Sequence, residues 1–279
     1  MKQREHRPTP DLSAVDLDAY FKRIGWRGGV RPALETLAGI LAAHVSRIPF
    51  ENLDVLLERP IRLDLVGLQE KLVYGGRGGY CFEHATLLAA VLEQLGFELM
   101  RHTARVVIFV PRSASPRTHM FLTVTLPEGT FVVDPGFGAF AARVPIPLAE
   151  GVRARAGHET HWMIRDASFW VLRADLGGET VDGWISALEH DNAIDFEVGN
   201  HFTATHPSSP FVNRLMLSAR APDARVNVMN RDVTLVRSGR RHSARLKDRA
   251  ALRALLVEHF GFDLPDVARL RVPMIPEWT

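Results

Sequence analysis

The single cysteine of the chain, Cys81, closes a glycine-rich run, GGRGGYCFEHATLLAAVLEQLGF, in which a loop tips directly into a helix. The first turn of a helix presents unpaired N–H groups and the positive end of the helix dipole, a setting that favours thiolate over thiol. Arg77 adds positive charge nearby, and Gly75, Gly76, Gly78 and Gly79 are expected to leave room for another molecule to approach the sulfur. A lone cysteine is also a small buried hydrophobe in many proteins, so its chemistry depends on what else the chain supplies. A thiolate nucleophile needs a base for its proton and a third group to hold that base in one tautomer. His119 stands in RTHMFLTVTL, where Phe121, Thr123 and Thr125 alternate with Leu122, Val124 and Leu126 at the period of a half-buried strand. Asp134 ends the next apolar run, TFVVD, after a Pro127-Glu128-Gly129 turn. Two antiparallel strands joined by that turn bring the two side chains together if both face one way. Each residue also has an ordinary structural reading, the histidine as an edge residue and the aspartate before Pro135-Gly136 as a turn former. The ordered set of three carries the case.

The elements that must position these residues fall into three segments. Residues 1–98 read as helical, with apolar positions at helical spacing over Leu17 to Ile24, Arg31 to Ser46, Asp64 to Leu72 and Cys81 to Leu95, the last stopped by Gly96. Residues 99–205 are strand-rich, with TARVVIFV, MFLTVTL, TFVVD and HWMIRDASFWVL separated by Pro and Gly turns, and are expected to form a small barrel or curled sheet. Residues 206–279 carry strand-like FVNRLMLSAR, VNVMN and DVTLVR, then an amphipathic helix from about Lys247 to Phe260. With 46% hydrophobic and 24% charged residues over 279 positions, the chain can bury a core without disulfides or metals.

Six blocks, IPFENLDVLL at 48–57, RGGYCFEH at 77–84, ARVV at 104–107, RTH at 117–119, VDPGFG at 133–138 and THPSSPF at 205–211, resemble the arylamine N-acetyltransferases in order and spacing, from about Tyr20 to Leu235. The resemblance implies an α+β fold with an N-terminal helical bundle, a central β-barrel, a C-terminal α/β lid and a cysteine-protease-like catalytic core. It also implies a cytoplasmic enzyme of xenobiotic metabolism that moves acetyl from acetyl-CoA, its cosubstrate, to an arylamine or arylhydrazine through an acetyl-cysteine. Cys81, His119 and Asp134 take the triad roles on this reading, with cysteine and histidine held as an ion pair. Phe50, Phe82, Val106, Phe137 and Phe211 match positions at the acceptor pocket, Gly136 and Gly138 positions near coenzyme A, and Glu51 and Asn52 positions that bond Arg77. Three positions depart from the family pattern: Ala85 stands where asparagine is usual, Pro135 where valine is usual and Ala139 where glycine is common. None of these touches the triad.

Other readings keep a place beside it. An amide synthase of the same fold would pass a longer carrier-bound acyl chain to an aromatic amine, and a Cys-His-Asp thiol hydrolase would pass the acyl group to water. HETH at 158–161 is not the HExxH zinc pattern and no CxxC pair occurs, so no metal is expected; the glycine run lacks the Lys-Ser or Lys-Thr of a phosphate-cradling loop. A net charge of +2 does not argue for nucleic acid, and the basic run Arg237, Arg240, Arg241, Arg245, Lys247 and Arg249 reads as a solvated hairpin and helix start. The opening MKQREHRPTP is polar and no uncharged apolar stretch of about 18 residues occurs, so neither a secretory signal nor a membrane span is expected. A single cysteine forms no internal disulfide, which fits a reducing compartment.

Overall fold

Helices dominate the first hundred residues because their apolar positions recur at helical spacing and their ends are capped. The computed structural model describes residues 14–278 apart from 109, 177, 222 and 223; the polar opening decapeptide lies outside the described residues. Helix α1 spans Leu17–Ile24, the range expected, with Asp16 Oδ1 accepting the Ala19 N–H at 2.9 Å and Gly25 closing it in a left-handed conformation. Helix α2 covers Leu34–Arg47, starting later than the apolar spacing indicates because Ala33, after Pro32, is extended. A two-residue strand β1, Phe50–Glu51, leads into the one-turn helix α3, Leu53–Leu56. Helix α4, Leu65–Leu68, is capped by Asp64 and continues as a π-helical turn over Gln69–Tyr74. Helix α5, Cys81–Gln94, ends just before Gly96, whose φ of 85° only glycine adopts readily.

The strand-rich middle curls into one eight-stranded antiparallel sheet. Its strands are β2 (Glu98–Val106), β3 (Arg117–Leu126), β4 (Gly129–Val133), β5 (Ile146–Pro147), β6 (Ala154–Ala156), β7 (Glu159–Asp166), β8 (Phe169–Asp175) and β9 (Thr180–Ser186). Their spatial order is β5-β4-β3-β2-β9-β8-β7-β6, and the Gly151 N–H donates to Met163 O at 2.8 Å, so the sheet nearly closes into a barrel. Strand β3 is not half-buried as its alternation indicated. His119 through Val124 are all buried, because Met120 faces Thr86 of α5 while Phe121 stacks on Trp184 inside the barrel with ring centroids 4.1 Å apart.

The strand-rich segment also contains a 13-residue helix, α6, over Ala193–Thr205. Its IDFEV start alternates like a strand, yet Asn192 and Asp195 form an N-terminal box, with Asp195 Oδ2 accepting the Asn192 N–H at 2.8 Å. Pro210 then opens a short turn of helix, α7, over Pro210–Asn213, so the strand expected from Phe211 begins only at Met216. Strands β10 (Met216–Arg220), β11 (Ala224–Met229), β12 (Asp232–Arg237) and β13 (Arg240–Arg245) form a second sheet in the order β1-β10-β11-β12-β13. Strand β1 from the helical segment is therefore the edge of the C-terminal sheet, pairing Phe50 with Ser218 and Glu51 with Leu217. One face, carrying Leu217, Val226, Val228 and Val233, packs on helix α8 (Arg249–Leu255) and the π-helical turn that extends it to Phe260. Strand β13 is exposed along its length, and its arginines sit on the solvated hairpin that the charge run indicated.

Beneath α5 a chain of fully buried polar groups ties the helices together. The Tyr20 hydroxyl lies 2.8 Å from His44 Nδ1, His44 Nε2 lies 2.9 Å from His84 Nδ1, and His84 Nε2 lies 3.2 Å from Pro49 O. Only one proton arrangement satisfies all three contacts: each Nε2–H and the tyrosine O–H donate, and each Nδ1 accepts. Burial holds His44 well below its ordinary pKa and pushes His84 down to about 4, so both rings are neutral near pH 7. Removing the Tyr20 hydroxyl strands the His44 Nδ1 lone pair in the core. Tyr20→Phe is expected to lower the unfolding free energy by about 1–3 kcal/mol, read from urea midpoints at pH 7; an unshifted midpoint would show that the chain is not a structural tie.

Candidate active site

The loop before α5 is shaped by its own backbone. A Cβ on Gly78 would lie 2.0 Å from Pro49 O, and one on Gly79 would lie 2.6 Å from Glu83 Oε2. At Gly75, Gly78 and Gly79 the space is filled by the chain itself, which corrects the expectation that they leave room for an approaching molecule; only Gly76 of the four faces open space. Pro49 O accepts the Gly79 N–H at 3.2 Å and Gly79 O accepts the Glu51 N–H at 2.8 Å, so the loop runs beside residues 49–51. Glu83 Oε2 accepts the Tyr80 N–H at 3.0 Å and fixes the first turn of α5.

A desolvated charge cluster fastens this loop. Lys71 Nζ reaches Glu83 Oε1 at 2.7 Å and Asp54 Oδ2 at 2.8 Å, while Arg77 Nη2 reaches Glu51 Oε1 at 2.5 Å and Asp54 Oδ1 at 3.3 Å. Against the penalty of burial, Lys71 and Arg77 hold Asp54 below the usual carboxylate range, and Glu83, Glu51 and Asp54 raise Lys71. The Arg77 charge is thus spent on Glu51 and Asp54 rather than offered to Cys81, a correction to its expected part. The Glu51–Arg77 bond that the resemblance implied is present, with Glu51 fully buried and the Arg77 side chain nearly so. Asn52 does not bond Arg77: its Nδ2 donates to Phe211 O at 2.8 Å and Arg214 O at 2.7 Å, and its Oδ1 accepts the Met216 N–H at 2.9 Å. Asn52 instead clips the entry of the C-terminal sheet to the loop.

Cys81 is the first residue of α5, where the helix dipole points its positive end. Its Sγ lies 3.6 Å from Thr118 O, on the residue before His119, and the Cys81 side chain is close enough to favour the charged form of the His119 ring. His119 Nε2 meets Asp134 Oδ2 at 2.8 Å, leaving Nδ1 for the sulfur. The structure thus brings the three expected residues together in the order sulfur, imidazole, carboxylate. Burial opposes the imidazolium, but the Asp134 charge and hydrogen bond, with the Cys81 contact, push the His119 pKa up to about 10. Trp184 completes the arrangement: its indole N–H donates to Asp134 Oδ2 at 2.8 Å. No motif singled out Trp184, because only the β2–β9 register, which pairs it with Val106, carries it there.

Cys81 itself is only 2% exposed. Phe137 covers the site, its ring 4.8 Å from that of His119, and its far edge is seated against Gly183, where a Cβ would lie 2.7 Å away. Phe50 and Phe211 meet edge to face with centroids 6.1 Å apart, and Phe211 meets Tyr80 in the same way at 5.3 Å. Phe50 and Phe211 form an aromatic pair that Gly138, the neighbour of Phe137, rests against, and Val106 pairs with Trp184 across β2 and β9. Phe82 sits apart from that pair, since its ring end meets Gly199 of α6 and it is fully buried as core between two helices. Gly136 is required by packing, because a Cβ there would lie 2.5 Å from Cys81 Cα. Gly138, at φ 56°, rests on the Phe50 ring.

Similarity to known proteins agrees with this layout. The profile of the N-acetyltransferase family matches residues 33–269. The arylamine N-acetyltransferase of Mycolicibacterium smegmatis is 40% identical over 91% of this chain and 94% of its own length, and that of Escherichia coli K12 is 34% identical over 90% of each. Among solved structures, the arylamine N-acetyltransferase of Mycobacterium tuberculosis superposes with a TM-score of 0.85 at 37% identity, covering 90% of this chain and 96% of that one. The enzyme of Mycobacterium marinum, solved in complex with CoA, gives 0.85 at 36% identity over 90% and 94%. The protein is an α+β acyltransferase. Within that class, the chain belongs to the arylamine N-acetyltransferase family.

Two outcomes follow from the geometry around Asp134. A proton pKa raised from 6.5 to about 10 means that the folded protein holds a proton that the unfolded chain releases across that window. The stability this supplies is full below pH 6.5 and is lost as pH rises through about 10. The advantage of the native protein over Asp134→Asn in urea denaturation is expected to shrink steadily over that range; a constant difference would mean that His119 is not charged in the fold. Trp184→Phe removes a hydrogen bond to a buried carboxylate and is expected to cost about 1.5–3 kcal/mol by the same measurement.

Proposed function

We propose that this protein transfers acetyl from acetyl-CoA to the nitrogen of arylamines and arylhydrazines by a ping-pong route through an acetyl group on Cys81. One observation carries the reading: Cys81 at the N-terminus of a helix, beside a His119 that Asp134 orients, in a chain of this family. Coenzyme A binding by the M. marinum relative supports the choice of donor.

In the first half-reaction the Cys81 thiolate attacks the thioester carbonyl and a C–S bond forms. The bond from the acetyl carbon to the coenzyme A sulfur then breaks, and the leaving thiolate takes the His119 proton. In the second half the amine nitrogen attacks the acetyl-cysteine, its proton passes to His119 and the Cys81 thiolate returns, so the ion pair is restored. The Asp134 carboxylate stabilises the charged ring at both ends of the cycle. The Cys81 N–H at the helix start is a candidate donor to the oxyanion. Phe50, Phe137 and Phe211 present flat faces to a flat amine. Coenzyme A contacts at Gly136 and Gly138 belong to the same reading. The three-segment division at 98 and 205 does too, with the C-terminal part closing over the donor as a lid.

A reducing, cytoplasmic setting suits a chain whose one cysteine must stay a thiol. Among the described residues no helix is long and apolar enough to cross a membrane. Transfer of a longer carrier-bound acyl chain, or of the acyl group to water, is distinguished by turnover: the first needs a long-chain thioester, the second leaves the amine unacylated.

Brief exposure to acetyl-CoA without amine, followed by intact-protein mass spectrometry, is expected to show one acetyl group on Cys81. None should appear on Cys81→Ala, which keeps the fold. Turnover retained by Cys81→Ala would end the mechanism. Asp134→Asn is expected to cut the transfer rate by orders of magnitude through the wrong imidazole tautomer, measured as kcat with an aniline acceptor.

A further inference from the structure

A buried arginine, Arg220, and a half-buried one, Arg225, converge on one carboxylate where the C-terminal sheet meets the barrel. Arg220 ends β10 and Arg225 pairs with it across β11, so their side chains share a face. Arg220 Nη1 reaches Glu159 Oε2 at 2.6 Å and Arg225 Nη1 reaches Glu159 Oε1 at 2.9 Å. The Arg220 side chain is only 4% exposed. Two cations on one anion, with Arg143 adding further like charge, is an expensive arrangement in a dry interior. Stability alone does not explain it, since an apolar replacement of a buried ion cluster is often neutral or stabilising.

What the second cation does is visible at its other end. Arg220 Nη2 donates to the Ala139 carbonyl, and two residues along β7 from Glu159, His161 Nε2 donates to Phe140 O at 3.0 Å. Successive carbonyls of the 3-10 turn Gly138–Phe140 are thus gripped from β10 and β7. That turn ends the segment whose Gly136 presses on Cys81, whose Phe137 covers His119 and whose Gly138 carries the Phe50 ring. Arg225 takes no part in this grip, because its other hydrogen bond goes to Leu176 O at 3.0 Å.

We propose that Arg220 is a positioning residue for the transfer reaction: held by Glu159, it fixes the 136–140 segment and thereby sets the wall that Phe137 presents to the acceptor. The inference rests on Cys81 being the site of transfer. Arg220→Met leaves Glu159 in a balanced pair with Arg225, so this variant folds, and Arg220→Lys keeps the charge but cannot reach carboxylate and carbonyl together.

The test reads two quantities. Hydrogen exchange of the peptide covering residues 137–141, where the Phe140 and Ala141 N–H groups bond Phe137 O and Gly138 O, is expected to quicken on the order of tenfold in Arg220→Met. KM for aniline, with acetyl-CoA as donor, is expected to rise by a similar factor, while alkylation of Cys81 by iodoacetamide keeps its pH profile, because Asp134 still orients His119. Arg220→Lys should fall between, and Arg225→Met, which removes an equally placed guanidinium, should move both readouts far less. Unchanged exchange in Arg220→Met, or equal effects from Arg225→Met, overturns the proposal. Absence of acyl transfer by the unsubstituted protein would instead defeat the functional reading, and the exchange data would still decide whether Arg220 holds the segment.

Discussion

One carboxylate oxygen, Asp134 Oδ2, sets the geometry of the site. It accepts from His119 and from Trp184, each at 2.8 Å, in a part of the barrel that water does not reach. In such surroundings an ion pair is strong only when its hydrogen bonds are in place, because each charge has lost its hydration. The imidazole therefore has one favoured orientation, and the nitrogen facing Cys81 is decided on the far side of the ring. The stacked pair Phe121 and Trp184 fixes the indole, so barrel packing reaches the sulfur through two hydrogen bonds.

The nucleophile's side is held by a different principle. Lys71, Arg77, Glu51, Asp54 and Glu83 neutralise one another away from solvent, and what they fix is backbone: the loop before α5 and its first turn. Hydrogen-bonded imidazoles beneath the helix add a neutral tie to the same Pro49 carbonyl that receives Gly79. Sulfur and carboxylate thus belong to two separately braced bodies, and Gly136 lets them touch because it has no side chain to hold them apart.

Much of this was legible in the chain. The helical spacing and the stop at Gly96 are local signals and gave the helix bounds to within a few residues, and the residues picked out in the order Cys81, His119 and Asp134 are the ones the fold brings together. Local pattern failed where a distant partner decides the outcome. Helix α6, inside the segment read as strand-rich, lies with Gly199 against Phe82 of α5, a contact that spacing alone does not show. Strand β3 alternates in sequence and is buried on both faces, since a helix covers one side and a closed barrel the other. Trp184, Lys71 and Glu159 carry no motif at all. Their parts depend on register and on which charges the fold removes from water, and neither is encoded by nearest neighbours in the chain. Asn52, adjacent to Glu51, shows the limit from the other direction: a side chain that points to the opposite partner cannot be told from its neighbour by position alone.

The pairing of β1 with β10 has a consequence for how the molecule comes into being. Phe50 and Glu51 leave the ribosome long before Ser218 and Leu217, so the strand that runs beside the cysteine loop lacks its second neighbour until most of the polypeptide exists. A nascent chain therefore holds the loop before Cys81 on one side only, and the second side closes when the last sheet docks. Loosening that sheet in the mature protein frees the same side again, so that wear in the last third of the sequence reaches a strand laid down in its first.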